Sequence, residues 1–398
     1  MATEAVVAAV GWSTGPDAAR VGREAAERAF QGLLSVHPQL AIVFGSPWFN
    51  QSQLLRGVQT IIGHVPVVGE STAGEICPAG PLTHSCVVLL MGGDTPFCGV
   101  GMSEAVDRLP REAGQQAAFA ATQAFRGSPR TGCLLFGDGL VSTFAEVVRG
   151  IQEALGTRFL IVGGMAADEL RFAQTYQYCN DLALSRGVVG VLLGGPLKIG
   201  VGIEHGFAPI SKPRRITRAQ ANILYALDER PAADVYEEYF GADLVQRMRQ
   251  EGLTRQTIAY PLGIHEEGVD RWLLRNVVSF EADGSLACSG EIREGAWLQL
   301  MIGSRGPALE AARRAATQAI RSLNRPACVI VFDSVSRRIL LGPRMTAMEI
   351  AAIREVIGPT TPLAGCYTYG EQAPCGMTTA AEATAMQTGS VLVVALGT

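Results

Sequence analysis

Charge is scarce in this sequence, and histidine scarcer: of 398 residues, 18% are charged and five are His. The formal net charge is -4 and no run of Lys or Arg gathers into a stripe, so neither a nucleic-acid groove nor an anionic membrane is expected as the main partner. His37, His64, His84, His205 and His265 are scattered, with no pair at metal-ligand spacing, so no protein zinc site is expected. Long apolar runs are missing too. No stretch of about 18 apolar residues occurs, and Val87 to Met91 is far too short to span a bilayer, so no membrane insertion is expected. Met1 to Gly11 carries Glu4, lacks a basic start and flows into a strand-like pattern, which reads as no signal peptide and a cytoplasmic protein. The nine cysteines form no C-x-x-C and sit mostly in apolar runs (Cys86, Cys133, Cys328), as reduced thiols do. A serine-nucleophile elbow is missed by one position at Gly69-Glu70-Ser71-Thr72-Ala73-Gly74, and no P-loop or complete dinucleotide fingerprint occurs.

What the chain has in plenty is apolar residues, 48% of the total, enough for two or three packing units at this length. They fall into a repeat. Ala120-Ala121-Thr122-Gln123-Ala124 recurs as Ala315-Ala316-Thr317-Gln318-Ala319, each in an Ala-rich amphipathic stretch. Thirteen residues after the first Ala comes Cys133 or Cys328, and eighteen after it Asp138 or Asp333, which places the two aspartates at one repeat position. A third version lies in the N-terminal part. Each unit reads strand, helix, strand, helix, strand, and closes with an apolar strand ending in Gly. The fold class is therefore α/β: mixed β-sheets covered by helices, from three repeated βαβαβ(β) units near 5–97, 98–206 and 296–398. Their opening strands are expected at Val6 to Val10, Cys98 to Met102 and Trp297 to Ile302. Residues 207–295, richer in charge and Pro, read as a connecting α+β subdomain. The N-terminal domain is then 1–206 and the C-terminal domain 207–398.

In open α/β sheets ligands gather beyond the carboxyl ends of the parallel strands. The repeat puts three glycine-led tips there, beginning at Gly69, Gly163 and Gly365, each followed five or six residues on by an acid: Glu75, Asp168 or Glu169, and Glu371. Such a carboxylate either binds an ammonium or sugar hydroxyl, or caps backbone N–H groups in its own bend. Ser71, Thr72, Tyr367 and Tyr369 add neutral hydrogen-bonding groups and aromatic faces, and Gly164 lets backbone approach. Asp138 and Asp333, at the ends of the preceding strands, are candidates of a second kind, with turn formation or helix capping as the alternative. Arg337 and Arg338 are either a bidentate carboxylate clamp or solvated charges.

Gly11-Trp12-Ser13-Thr14, the tip Gly69 to Ile76 and Gly163 to Asp168 resemble the N-terminal domain of the FIST family. Pro231-Ala232 to Tyr239, Pro261-Leu262-Gly263, Asp283 to Leu286, Glu294-Gly295 and Gly365 to Glu371 resemble its C-terminal domain. The resemblance implies a sensory protein that reversibly binds a small polar ligand such as an amino acid. It leaves no residues for an output module, so the signal is expected to pass to a separate signalling protein. Some stand-alone relatives bind haem and sense nitric oxide, which makes haem, on an unassigned axial His, the alternative cofactor. An enzyme acting on a small molecule is the less favoured reading. The chain departs from the family pattern at Ser334 to Arg337, which lacks a turn Gly, and at Met386-Gln387-Thr388, which lacks an Asn before the Thr.

Overall fold

A computed structural model describes residues 6–34, 36–251, 255–265, 271–374 and 384–398. Three six-stranded mixed sheets surround one core, and a nine-stranded subdomain sits beside them. The apolar runs of the sequence become strands buried on both faces; every residue of Ser85–Gly92, Val188–Gly194 and Val391–Gly397 is buried.

Unit one runs strand Val7–Thr14, helix Ala18–Gly32, strand Pro38–Gly45, helix Gln51–Ile62, strand Val67–Ser71, hairpin Glu75–Cys77 with Gly80–Leu82, and closing strand Ser85–Gly92. Side chains of Asp17 and Asn50 accept the backbone N–H of Arg20 and Gln53 and so fix the two helix starts. Unit two repeats the order from Cys98–Ser103 to Val188–Gly194, with its hairpin at Gln177–Cys179 and Leu182–Leu184. In both units the second and third strands pair in parallel while the first and last are antiparallel.

The third unit opens elsewhere than expected. Its first strand is Lys198–Glu204, which pairs with Val391–Gly397 as Val7–Thr14 pairs with Ser85–Gly92. Trp297–Gly303, the expected opening strand, belongs to the nine-stranded sheet. The subdomain at 207–303 is thus an insertion between the first strand and first helix (Arg305–Ile320) of unit three. Both strands are short apolar runs, and only pairing tells them apart.

Hairpins are exchanged in a ring. That of unit one completes the sheet of unit three, that of unit two the sheet of unit one, and that of unit three, Glu371–Pro374 with Thr384–Gln387, the sheet of unit two. Inner faces of the three sheets meet at Phe44, Phe136 and Phe332, whose ring centroids lie 6.0 to 6.3 Å apart. Outer faces are covered by helices, whose Ala-rich surfaces let the strands come close. A Cβ on Gly101 would stand 2.2 Å from Ala117 O, and one on Gly202 1.9 Å from Ala315 O.

These contacts make Ala117 the counterpart of Ala315, three residues from the match of the two identical pentapeptides. Strand register differs as well: Gly137 pairs with Val188 and Asp333 with Val391, so Asp333 matches Gly137 and Asp138 matches Ser334. The shared position expected for Asp138 and Asp333 is therefore one residue out.

Among the described residues no helix is long and apolar enough to cross a membrane. The eight described cysteines are free, and burial pushes the thiols of Cys133 and Cys328 up to about 12. Cys375 lies outside the described residues.

The Phe ring trio joins all three units, so Phe136→Ala is expected to cost about 3–5 kcal/mol in urea unfolding, in one transition. A loss confined to a separate first transition, with the rest of the chain unaffected, would mean that the units do not share this core.

Candidate functional site

All three glycine-led tips lie at one end of the body, where they hold one another. Ala73 N–H donates to Tyr367 O and Tyr367 N–H to Gly74 O, both at 2.8 Å. Ala167 N–H donates to Ser71 O at 2.9 Å, and Met165 N–H to Gly370 O at 2.9 Å. Gly69 needs its φ of 144°, and a Cβ there would stand 1.9 Å from Val43 O.

Most of the candidate side chains are spent inside this clasp. Ser71 Oγ donates to Ala167 O and accepts Tyr176 N–H, both at 2.9 Å. Thr72 Oγ1 donates to Glu75 Oε1 at 2.5 Å, and Ser85 Oγ donates to the other oxygen. Thr368 Oγ1 donates to Glu371 Oε1 at 2.8 Å while Ser390 N–H reaches Glu371 Oε2 at 3.3 Å. In unit two the same bracket is built by Gln177, whose amide accepts Gly187 N–H at 3.0 Å and donates to Thr175 Oγ1 at 3.3 Å. Gln177, opposite Glu70 in the ladder as Glu75 is opposite Cys366, is the true counterpart of Glu75 and Glu371. Asp168 and Glu169 instead begin a loop that lengthens this tip.

Burial governs the protonation of these carboxyls. It raises Glu75 to about 7, against the hydroxyls of Ser85 and Thr72, and holds Glu371 well above the ordinary range against Thr368. Glu70, which the sequence reading did not single out, is fully buried beside Cys366 Sγ, 3.4 Å away, and is likewise raised by burial. Gly164 makes the room: a Cβ there would stand 2.5 Å from the Phe332 ring and 2.7 Å from Glu70 Oε1.

Arg337 does clamp carboxylates, but they are the protein's own. Its Nε donates to Asp333 Oδ1 at 2.9 Å and its Nη2 to Glu349, with His205 O and Ala308 O taking further N–H groups. All three ionisable side chains are fully buried. Burial, then the neighbouring Glu349 charge, raises Asp333 well above the carboxylate range despite Arg337. Tyr367 is also fully buried, with the Arg338 guanidinium 5.0 Å above its ring.

Asp138 and Asp168 organise loops. Asp138 accepts Leu140 N–H, Thr175 Oγ1–H and Arg186 N–H at 2.8 to 2.9 Å. Asp168 accepts the N–H groups of Phe172, Ala173 and Gln174 at 2.7 to 3.0 Å and the Tyr369 hydroxyl. Burial opposes ionisation of Asp168, but these four donors outweigh it and its pKa is lowered.

Among the described residues, three concavities open on this end. The largest, about 720 Å³, runs between the unit-one hairpin and helix Val335–Ile357. That helix breaks at Gly342, where φ is 72° ahead of Pro343. Ala73 of unit one, Glu169 of unit two and Arg338 of unit three all line the groove. A second cavity of about 200 Å³ lies against the inserted subdomain and includes Tyr369. A third, about 410 Å³, is bordered by Asp138, Asp107 and Arg186. Of the eleven candidates, then, Tyr369 and Asp138 line these concavities, and the other nine do not. Arg338 was legible as half of an arginine pair; Glu169 was noted but not preferred. Among the described residues no group of three His, Cys, Asp or Glu has metal-holding geometry. Burial lowers His205 to about 4, and its Nδ1 accepts Phe207 N–H at 2.9 Å.

A triply repeated α/β body with an inserted subdomain and a groove at the strand ends defines an architecture suited to holding a small molecule. The chain belongs to the FIST family: the FIST N domain matches residues 39–230 and the FIST C domain residues 232–374. FIST domains are associated with sensory and signal-transduction roles. An uncharacterized protein of Mycobacterium tuberculosis is 25% identical over 92% of this chain and 94% of its own length. One of Methanocaldococcus jannaschii is 24% identical over 65% of this chain, which covers 53% of that protein, about half its length. A cyanuric acid hydrolase from A. caulinodans aligns over 99% of this chain and 100% of its own at 13% identity, with a TM-score of 0.38, too low to carry an argument.

Two outcomes test the buried ionisable groups. An unfolded Glu ionises near 4.5 and Glu75 near 7. Between these values the folded state keeps a proton that the unfolded state has lost, so stability falls as pH rises. Glu75→Gln should remove about 3 kcal/mol of that fall, at ~1.4 kcal/mol per pH unit, seen as a flatter pH dependence of urea unfolding. Equal slopes in the two proteins would contradict a protonated buried carboxyl. Arg337→Met, which strands Asp333 against Glu349, should cost about 3–5 kcal/mol at pH 7, and Arg337→Lys should restore little of it.

Proposed function

We propose that this protein is a receptor that reversibly binds a small zwitterionic metabolite of the amino-acid kind and reports its presence to a separate partner protein. The observation that carries the reading is Arg338 with Glu169 in one groove to which all three units contribute. Arg338 is held from behind: one nitrogen donates to Ala73 O and the plane lies over Tyr367. Its Nε and Nη2 have no hydrogen-bond partner among the described residues, which leaves two donors for a carboxylate. Glu169 is fixed by Trp48 Nε1–H at 2.7 Å and supplies an acceptor for an ammonium. Leu82, Leu170, Val335 and Ile339 offer apolar surface for the rest of a ligand. A groove of 720 Å³ suits such a molecule, since small-ligand sites run from about 300 to 1,000 Å³.

The chemistry of the lining favours binding over turnover. Its hydroxyls are those of Thr83 and Thr346; Thr346 Oγ1 is donated to Gly342 O, and neither bonds to a base among the described residues.

Thermal-shift measurements and calorimetry with the common amino acids and related zwitterions test the reading. A binding ligand should raise Tm, by about 2.7 kcal/mol of stabilisation at a hundredfold excess over Kd. Arg338→Gln should weaken it about 10- to 100-fold, as loss of a charge-assisted pair does. A full panel without a shift, or binding indifferent to Arg338→Gln and Glu169→Gln, would end this reading. A stable Soret band on mixing with haemin would favour the haem alternative.

A further inference from the structure

We propose that the 200 Å³ cavity between the inserted subdomain and the three-unit body is a second binding site, one that takes a flat, uncharged heterocycle with an amide edge. Among the described lining residues it shares only Val335 with the zwitterion groove, and it does not rest on that reading.

The first observation is Asn276. It is 7% exposed, its N–H donates to Ser289 Oγ at 2.9 Å and its C=O accepts Ser289 N–H at 3.0 Å. Its carboxamide, which lines the cavity, has no hydrogen-bond partner among the described residues. Neither carboxamide atom is fully enclosed, so the group keeps a donor and an acceptor free toward the cavity instead of spending them within the protein. Such a group, one acceptor beside one donor pair, is matched by the N–H and C=O of a lactam or imide.

The second observation is an aromatic platform. Phe172 and Tyr369 stack with centroids 5.0 Å apart and planes 20° from parallel. Tyr369 is fixed by its hydroxyl, which donates to Asp168 and accepts Leu170 N–H at 2.7 Å. Phe172 reaches it from a left-handed backbone with φ of 49°, following Glu169 and Leu170 at 56° and 65°. Side chains rarely tolerate that region, and strain of this kind persists where the surroundings hold it for a purpose. Phe172 as a residue is 51% exposed and lines the cavity, so aromatic surface is left for a ligand to cover.

The lining sets the charge and size of the occupant. Among the described residues that line it there is no Asp, Glu, Lys, Arg or His. Burial pushes the Cys288 thiol up to about 12, so it stays neutral and unreactive. A cavity of 200 Å³ is somewhat larger than the ~150 Å³ that accommodates benzene elsewhere, which limits the ligand to about one substituted ring.

Uracil and nicotinamide, two neutral rings with amide edges, are the probes, titrated by calorimetry into the full-length protein at neutral pH. We expect at least one to bind with submillimolar Kd, Asn276→Ala to weaken it at least tenfold, and Phe172→Ala to do the same from an exposed position that does not endanger folding. Arg338→Gln should leave this binding unchanged, which separates it from the zwitterion groove. Failure of both probes to bind would overturn the proposal. So would binding that survives both Asn276→Ala and Phe172→Ala.

Discussion

Backbone hydrogen bonds that cross between units are the constraint on which this protein depends. Each tip leaves its own sheet with its N–H and C=O groups unpaired, and each finds them in another unit: Ala73 with Tyr367, Ala167 with Ser71, Met165 with Gly370. A buried backbone group without a partner is costly, so no tip can settle until its neighbours are in place. The hairpin exchange follows from the same requirement, because the strands after the tips are already committed to a foreign sheet. Packing then draws Glu70, Glu75 and Glu371 out of water, and their raised pKa values are the electrostatic consequence of that closure.

Where the repeat is faithful the structure is closed, and where it is broken the structure opens. The Thr–Glu brackets of units one and three and the Thr–Gln bracket of unit two fill equivalent places, with Thr72, Glu75, Thr368, Glu371 and Gln177 buried. The departures are a lengthened tip in unit two, a helix broken at Gly342 and Pro343 in unit three, and a subdomain inserted after Glu204. All three border the large groove or the junction cavity. A ring of identical contacts can be satisfied internally, whereas an extra loop or a broken helix has no repeat partner to cover it.

Much of this was legible in the residues. Apolar runs ending in Gly marked the closing strands, and Ala-rich periodicity marked the covering helices. The finer alignment was not. A three-residue slip between the pentapeptides is almost one helical turn, so the same face stays buried and the pattern looks unchanged. The one-residue slip of Asp138 against Asp333 runs the whole length of the two strands, which carry the same bulge at Arg130 and Pro326, and strands buried on both faces lack the alternation that would betray it. Trp297–Gly303 and Lys198–Glu204 are both half-buried strands of seven residues, and composition does not say which sheet each joins. Arg337 and Arg338 are neighbours in sequence, yet one turns into the core and the other along the groove. Only tertiary packing decides between them.

The lengthened tip connects the two concavities physically. Glu169 and Leu170 line the large groove, while Phe172 lines the junction cavity two residues on. Asp168 holds that segment by accepting from Phe172, Ala173, Gln174 and the Tyr369 hydroxyl. Its lowered pKa means that the carboxylate is ionised across the neutral range, so the four bonds are charge-assisted. A displacement of Phe172 therefore works against Asp168, whose neighbour Glu169 is held in turn by the Trp48 N–H and the Ser46 hydroxyl. Groove and junction cavity share one left-handed segment as a wall, so a change in its conformation alters both linings at once.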